Sequence, residues 1–132
     1  MKIRVLIDDL RYFRKSLGAL RAGSDMHGVD LLCRSSAEGM TTLNNLRAKD
    51  RQIWQLWLDH DLGGDDTIMP VVSMLEEYGA WDDHLNVQEI IICSANPVGA
   101  QTVLRSLTTY GYNARWSPND SQLYVPESSQ VR

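Results

Sequence analysis

The sequence predicts an α/β fold with a mostly parallel sheet. Three observations carry that prediction. Short apolar runs rich in β-branched residues recur along the chain, amphipathic stretches separate them, and three of the first four runs end in polar, chemically capable residues. The chain has 132 residues, 43% of them hydrophobic, which suits one domain with a genuine core and leaves no room for two.

Each element follows from its residues. Residues 3–7 form an apolar run broken by Asp8-Asp9, the pattern of a strand buried on both faces. Leu10, Phe13, Leu17 and Leu20 then recur at spacings that place them on one stripe of a helix, with Arg11, Arg14, Lys15 and Arg21 on the other side and Gly23 as its stop. Residues 29–33 make a second strand. Ser35-Ser36 offers a cap for a helix with Met40, Leu43 and Leu46 inward. Residues 53–58 make a third strand, and the polar, glycine-rich stretch from Asp59 to Asp66 must be a loop. Thr67 can cap a helix with Ile68, Val71, Val72 and Leu75 inward, with Pro70 in its first turn and Gly79 at its end. Residues 87–93 make a fourth strand, 98–110 a helix with Val103, Leu104 and Leu107 inward, and 112–116 a short fifth strand. Residues 1–118 are read as a single domain and 119–132 as a loosely ordered tail. Helices are expected on both sheet faces, joined by right-handed crossovers.

Charge and composition exclude several functions. Thirteen Lys plus Arg against seventeen Asp plus Glu give a net charge of -4, which disfavours a DNA scaffold role. No apolar run approaches a membrane span, so no membrane role is expected. Cys33 and Cys93 lie in apolar runs and make neither a disulfide framework nor a zinc site, which fits a reducing cytoplasm. Six of the seventeen acidic residues fall in two short segments, Asp8-Asp9 and Asp59 to Asp66.

In a parallel α/β sheet, ligands bind beyond the carboxyl ends of the strands. Asp8, Asp9, Asp59, His60, Asp61, Ser94 and Asn96 should therefore converge on one edge. Crowded carboxylates repel, so either their pKa values rise or a divalent cation compensates them, and magnesium suits an all-oxygen ligand set. A plainer reading of Asp8-Asp9 is a helix cap.

Three segments resemble one family. Asp8-Asp9-Leu10-Arg11, then Leu58-Asp59-His60-Asp61-Leu62-Gly63, then Ser94-Ala95-Asn96-Pro97-Val98-Gly99 look like the motifs of cyclic-phosphate processing receiver domains. The resemblance implies a receiver-like, flavodoxin-like three-layer sandwich of about five parallel strands in the order 2-1-3-4-5, here with the last helix missing or degenerate. Members occur in bacteria and their phages, often as stand-alone domains, and are proposed to act on cyclic phosphates. Two departures stand out. Members usually carry a His where this chain has Cys93, and ordinary receivers end strand five with a Lys where this chain reads Ala114-Arg115-Trp116-Ser117-Pro118.

The roles then divide as follows. Asp8, Asp9 and Asp59 are the expected Mg ligands, with Asp59 also a candidate nucleophile, and Asp59, His60 and Asp61 are the candidate catalytic groups. Strand alternation points His60 away from Asp59 and Asp61. Arg11 can clamp a phosphate or neutralise the aspartates; Ser94, Asn96 and Gly99 can meet phosphoryl oxygens, or simply start a helix. His27 and His84 read as surface residues, and Trp116 as core or a base-stacking ring. Three functions compete: a phosphodiesterase-type site that binds or hydrolyses a cyclic phosphate ester, a non-enzymatic protein-binding module with a relic pocket, such as a phage protein acting on a host partner, and a signalling receiver phosphorylated on Asp59.

Overall fold

A computed structural model of the chain describes residues 1–17 and 28–126. Five parallel strands form the main sheet: β1 (Lys2–Ile7), β3 (Gly28–Cys33), β4 (Ile53–Leu58), β5 (Val87–Ile92) and β6 (Ala114–Trp116), with β2 (Tyr12–Phe13) and β7 (Leu123–Tyr124) standing outside it. The sheet runs β3-β1-β4-β5-β6. Numbered among themselves, the five strands keep the expected 2-1-3-4-5; the whole-chain labels differ because β2 is inserted after β1. Helices α1 (Ser36–Ala48), α2 (Met69–Ala80) and α3 (Pro97–Thr109) connect consecutive strands from β3 onward.

Side-chain alternation divides the core in two. Val5 and Ile7 of β1, Leu56 and Leu58 of β4, and Ile90 and Ile92 of β5 join Leu43, Val72, Leu75 and Val103 of the helices. All three helices thus share one face, α1 against α2 and α2 against α3. The intervening residues Leu6, Trp57, Ile91 and Cys93 face the other way and pack with Phe13 and Leu123. That second face was expected to carry helices; among the described residues it is covered by a two-stranded antiparallel ribbon, in which Tyr12 pairs with Tyr124 and Phe13 with Leu123.

The helix expected from Leu10 onward is therefore corrected. Of its stripe, Phe13 and Leu17 are buried, but Leu10 is 40% exposed, and Leu20, Arg21 and Gly23 lie outside the described residues. Asp8 Oδ1 accepts from the backbone N–H of both Leu10 and Arg11, each at 2.9 Å, turning the chain sharply, and the two aromatic residues then find a strand partner far away in sequence. The Phe13 ring meets Trp57 edge-on at 5.6 Å. Within residues 119–132, read from the sequence as a loosely ordered tail, Leu123 is buried and pairs in the ribbon, and residues 127–132 lie outside the described residues. After β6 no helix follows among the described residues, as the missing last helix requires.

A buried ion pair anchors the chain just after β2. Arg4 Nε meets Asp30 Oδ1 at 2.8 Å, Arg4 Nη2 donates to the Lys15 carbonyl at 2.7 Å, and Asp30 Oδ2 accepts from Leu17 N–H at 2.9 Å.

Helix starts follow the expected chemistry with small shifts. Ser35 caps α1 by accepting from Glu38 N–H. Ile68, not Thr67, occupies the cap position of α2, and the Thr67 hydroxyl accepts from Met69 N–H at 3.3 Å. Gly79 lies in the last turn of that helix, one residue before its end at Ala80, and the Tyr110 carbonyl stands within 2.9 Å of where a Cβ would be.

Candidate functional site

The parallel register brings the strand ends into line. Ile7 pairs with Leu58 and Leu58 with Ile92. The pairing continues one residue further, through Asp8 N–H to Cys33 O at 3.0 Å, Asp59 N–H to Ile7 O at 3.0 Å and Cys93 N–H to Leu58 O at 2.9 Å. Asp8, Asp59 and Cys93 thus stand side by side, and Asp9, His60 and Ser94 are the next residues out.

Asp8, Asp9 and Asp59 each offer a carboxylate oxygen, all within 4.8 Å of one another. Burial, then the Asp8 charge, push the Asp59 carboxyl up to about 6, with Arg11 acting against them. Asp9 is raised too, by burial first. The cluster thus carries more negative charge than its surroundings balance.

Arg11 supplies the partial balance. Its Nε donates to Asp8 Oδ2 at 2.6 Å, its Nη2 donates to the Cys93 carbonyl at 2.8 Å, and Nη2 lies 3.7 Å from Asp59 Oδ1. Asp8 thereby has both oxygens engaged, Oδ1 by two backbone amides and Oδ2 by the guanidinium. Asp9 and Asp59 hold the more available oxygens. These three carboxylates could hold a metal ion, with Asp9 and Asp59 offering the more available oxygens and Asp8 one remaining lone pair.

His60 and Asp61 do meet, contrary to simple alternation. His60 faces the helix side, where its ring packs so closely on Gly99 that a Cβ there would come within 2.6 Å of it. The chain then turns, with Asp61 bridged to Thr67 and the His60 carbonyl accepting from Ile68 N–H at 2.8 Å. This turn brings Asp61 Oδ1 to 3.0 Å from His60 Nδ1, and Asp61 Oδ2 to 3.4 Å from Asn96 Nδ2. The hydrogen bond from His60 holds the Asp61 carboxyl below its ordinary range.

The remaining candidates have local partners. Asn96 Oδ1 caps α3 by accepting from Gly99 N–H at 3.1 Å, so that amide is committed. The Ser94 hydroxyl accepts from Asn96 N–H at 3.1 Å, and the Ser94 carbonyl accepts from Trp116 Nε1 at 2.9 Å. Arg115, at the end where an ordinary receiver has its Lys, lies 3.7 Å from Glu89. Burial pushes the Cys93 thiol far up, and its Sγ donates to the Leu58 carbonyl. His84 is exposed, with Nε2 at 2.6 Å from the Tyr110 carbonyl; His27 lies outside the described residues.

A cleft of about 350 Å³ opens over the cluster, lined by Asp8, Asp9, Leu10, Arg11, Asp59, Asp61, Ala95, Asn96, Asn119 and Val125. His60, Ser94 and Gly99 are not among its lining residues. Leu10, Asn119 and Val125 were not foreseen as site residues: Leu10 reads as helix core, and the other two belong to the presumed tail.

Two further residues hold the site loops without lining the cleft. Arg34 Nη1 donates to the carbonyls of Asp8, at 3.0 Å, and Arg11, at 2.6 Å. Asp66 accepts from Ser36 N–H at 2.9 Å and Ser36 Oγ at 2.6 Å, tying the Asp59–Asp66 loop to the start of α1. Gly63 adopts a positive φ of 89°, which favours glycine, and the Asp9 carboxylate stands 3.1 Å from where a Cβ would be.

No curated protein and no solved structure matches the chain. The model of one family, the cyclic-phosphate processing receiver domains, matches residues 3–109, the span that contains the whole acidic cluster and the first four strands of its sheet. With the five-stranded parallel sheet and the acidic cluster at its strand ends, that match places this chain in the family of cyclic-phosphate processing receiver domains.

Proposed function

We propose that the cleft binds a cyclic phosphate ester together with a divalent cation, magnesium being the natural occupant, and opens the ester ring by hydrolysis. The observation that carries this reading is the Asp8–Asp9–Asp59 cluster, within 4.8 Å and only partly neutralised by Arg11. The bound cation supplies charge stabilisation to the phosphoryl oxygens.

The protein's own groups do the rest. Asp61, fixed between His60 and Asn96, accepts a hydrogen bond from the attacking water and orients it, and the proton passes to the His60–Asp61 pair. The water oxygen bonds to phosphorus as one ring P–O bond breaks, and the freed alkoxide takes up a proton. Arg11, the single cation among the described cleft-lining residues, faces the phosphoryl group while remaining tied to Asp8. Ser94 and Gly99 act by shaping the loop that carries Asn96. Cys93 takes no part as a base, since its thiol is buried and its carbonyl serves to hold Arg11.

A phosphoacceptor role for Asp59 finds less support, because the end of β6 places Trp116 against Ser94 and directs Arg115 to Glu89. Nothing among the described helices is long and apolar enough to cross a membrane, and the two buried thiols suit a reducing cytoplasm.

The test is direct. Purified protein with Mg is incubated with nucleoside and polyol cyclic phosphates, and ring opening is followed by phosphorus NMR. Turnover that disappears in Asp9→Asn and Asp61→Asn supports the reading; absence of both turnover and binding across the panel overturns it.

A further inference from the structure

A second cavity, of about 240 Å³, shares no lining residue with the cleft. It is lined by Arg4 of β1, by Arg14 and Lys15 just after β2, and by Ser121 and Gln122 just before β7. We propose that this cavity is an anion site that takes a phosphoryl dianion, free or carried on a small organic molecule. The site stands independently of the chemistry assigned to the cleft.

Three observations carry it. First, the lining is cationic although the chain is acidic. Three of the five lining residues are Arg or Lys and none is Asp or Glu, in a chain with seventeen acids against thirteen bases. Asp30 balances Arg4, its Oδ1 accepting from Arg4 Nε and its Oδ2 from Arg4 Nη2 and Leu17 N–H. Arg14 and Lys15 make no ion pair among the described residues, which leaves two positive charges at the cavity uncompensated. Second, the acid nearest in sequence is engaged elsewhere. Asp120 immediately precedes Ser121, yet its Oδ2 accepts from Ser117 Oγ at 2.7 Å and its Oδ1 from Gln122 N–H at 2.9 Å.

Third, the guanidinium groups are held in place before any ligand arrives. Arg4 lines the cavity while only 5% exposed, fixed by Asp30 and the Lys15 carbonyl and lying 3.8 Å from the centre of the Phe13 ring. Arg14 Nε donates to the Ser121 carbonyl at 3.2 Å, its backbone N–H donates to the Gln122 carbonyl at 2.7 Å, and its guanidinium stands over the Tyr124 ring. A ligand therefore meets side chains already ordered, which lowers the entropic cost of binding it. Two uncompensated cations match a dianion, and guanidinium donors suit the several acceptor oxygens of a phosphoryl group; a carboxylate brings one charge and two oxygens.

Calorimetry tests this on the full chain at pH 7.5 in EDTA, which keeps divalent cations from the carboxylate cluster. Inorganic phosphate and glycerol 3-phosphate are the probes, and acetate is the monoanionic control. One-site saturation by at least one phosphoryl probe is expected, about tenfold tighter than acetate; the tighter of the two probes tells whether the site takes free phosphate or a phosphomonoester. Lys15→Glu keeps the backbone carbonyl that Arg4 uses and should weaken phosphoryl binding at least about tenfold, and Arg14→Gln should weaken it several-fold, with thermal melts verifying that both fold. Asp9→Asn, in the cleft, should leave it unchanged. Absence of saturable binding, acetate binding as tightly as the phosphoryl probes, or full affinity retained in Lys15→Glu overturns the site, as does binding that Asp9→Asn alters and Lys15→Glu does not.

Discussion

At the scale of single residues, Asp59 connects the site to stability. Its carboxyl sits at about 6 instead of 3.8, so the folded chain holds this proton more tightly than the unfolded chain does. Stability is therefore lost as pH rises between those two values and stays lower above them. Asp59→Asn should stabilise the metal-free protein at pH 7.5 by about 1–3 kcal/mol, and the gain should vanish near pH 4; thermal melts across that range measure it. Mg should raise the melting temperature of the parent chain and leave the variant nearly unmoved. Gly99 offers a second test. A Cβ there would meet the His60 ring at 2.6 Å, so Gly99→Ala should cost about 1–3 kcal/mol and displace His60 from Asp61, visible as changed His60 ring chemical shifts by NMR. That Asp8, Asp9, Asp59 and Asp61 gather at one cleft was legible in the sequence because strand ends and loop composition are local signals. The sequence could not place Arg34, whose two bonds to the Asp8 and Arg11 carbonyls depend on strand pairing, nor set Ser94 and Gly99 outside the cleft lining, which depends on how α3 packs on His60.

At the scale of elements, the buried strands and the three helices were legible because each carries its own period. The ribbon was not. Phe13 and Leu17 are buried as a helical stripe would require, and nothing local distinguishes that stripe from a strand whose partner lies beyond residue 120. The ribbon is nonetheless part of the core. Phe13→Ala should destabilise by about 3–5 kcal/mol and shift the emission of the buried Trp57 to the red, since the two rings are in edge contact. The Arg4–Asp30 pair that anchors the chain beside it should be equally sensitive. Asp30→Ala leaves a guanidinium buried without its partner, at a cost of about 3–5 kcal/mol by denaturant titration, whereas an exposed pair would cost far less.

At the scale of the whole molecule, the chain has a net charge of -4, and three of its carboxylates lie within 4.8 Å of one another at the strand ends. Without a cation, their field repels a phosphate ester, so chelation with EDTA should weaken ester binding at least about tenfold in calorimetry. Saturating the site at a hundred times the dissociation constant should add about 2.7 kcal/mol to stability. The ribbon also sets an order of assembly. Arg14 and Ser121 meet although they are 107 residues apart in sequence, and the strand pairs beside them close loops that are longer still. During synthesis β1 and β4 can pair, and the carboxylates gather, while the partner of β2 is still untranslated. The carboxylate cluster is thus built early and the ribbon strand next to Val125 late, so a nascent chain passes through a stage in which the carboxylates have gathered before Asn119 and Val125 exist to line the cleft over them.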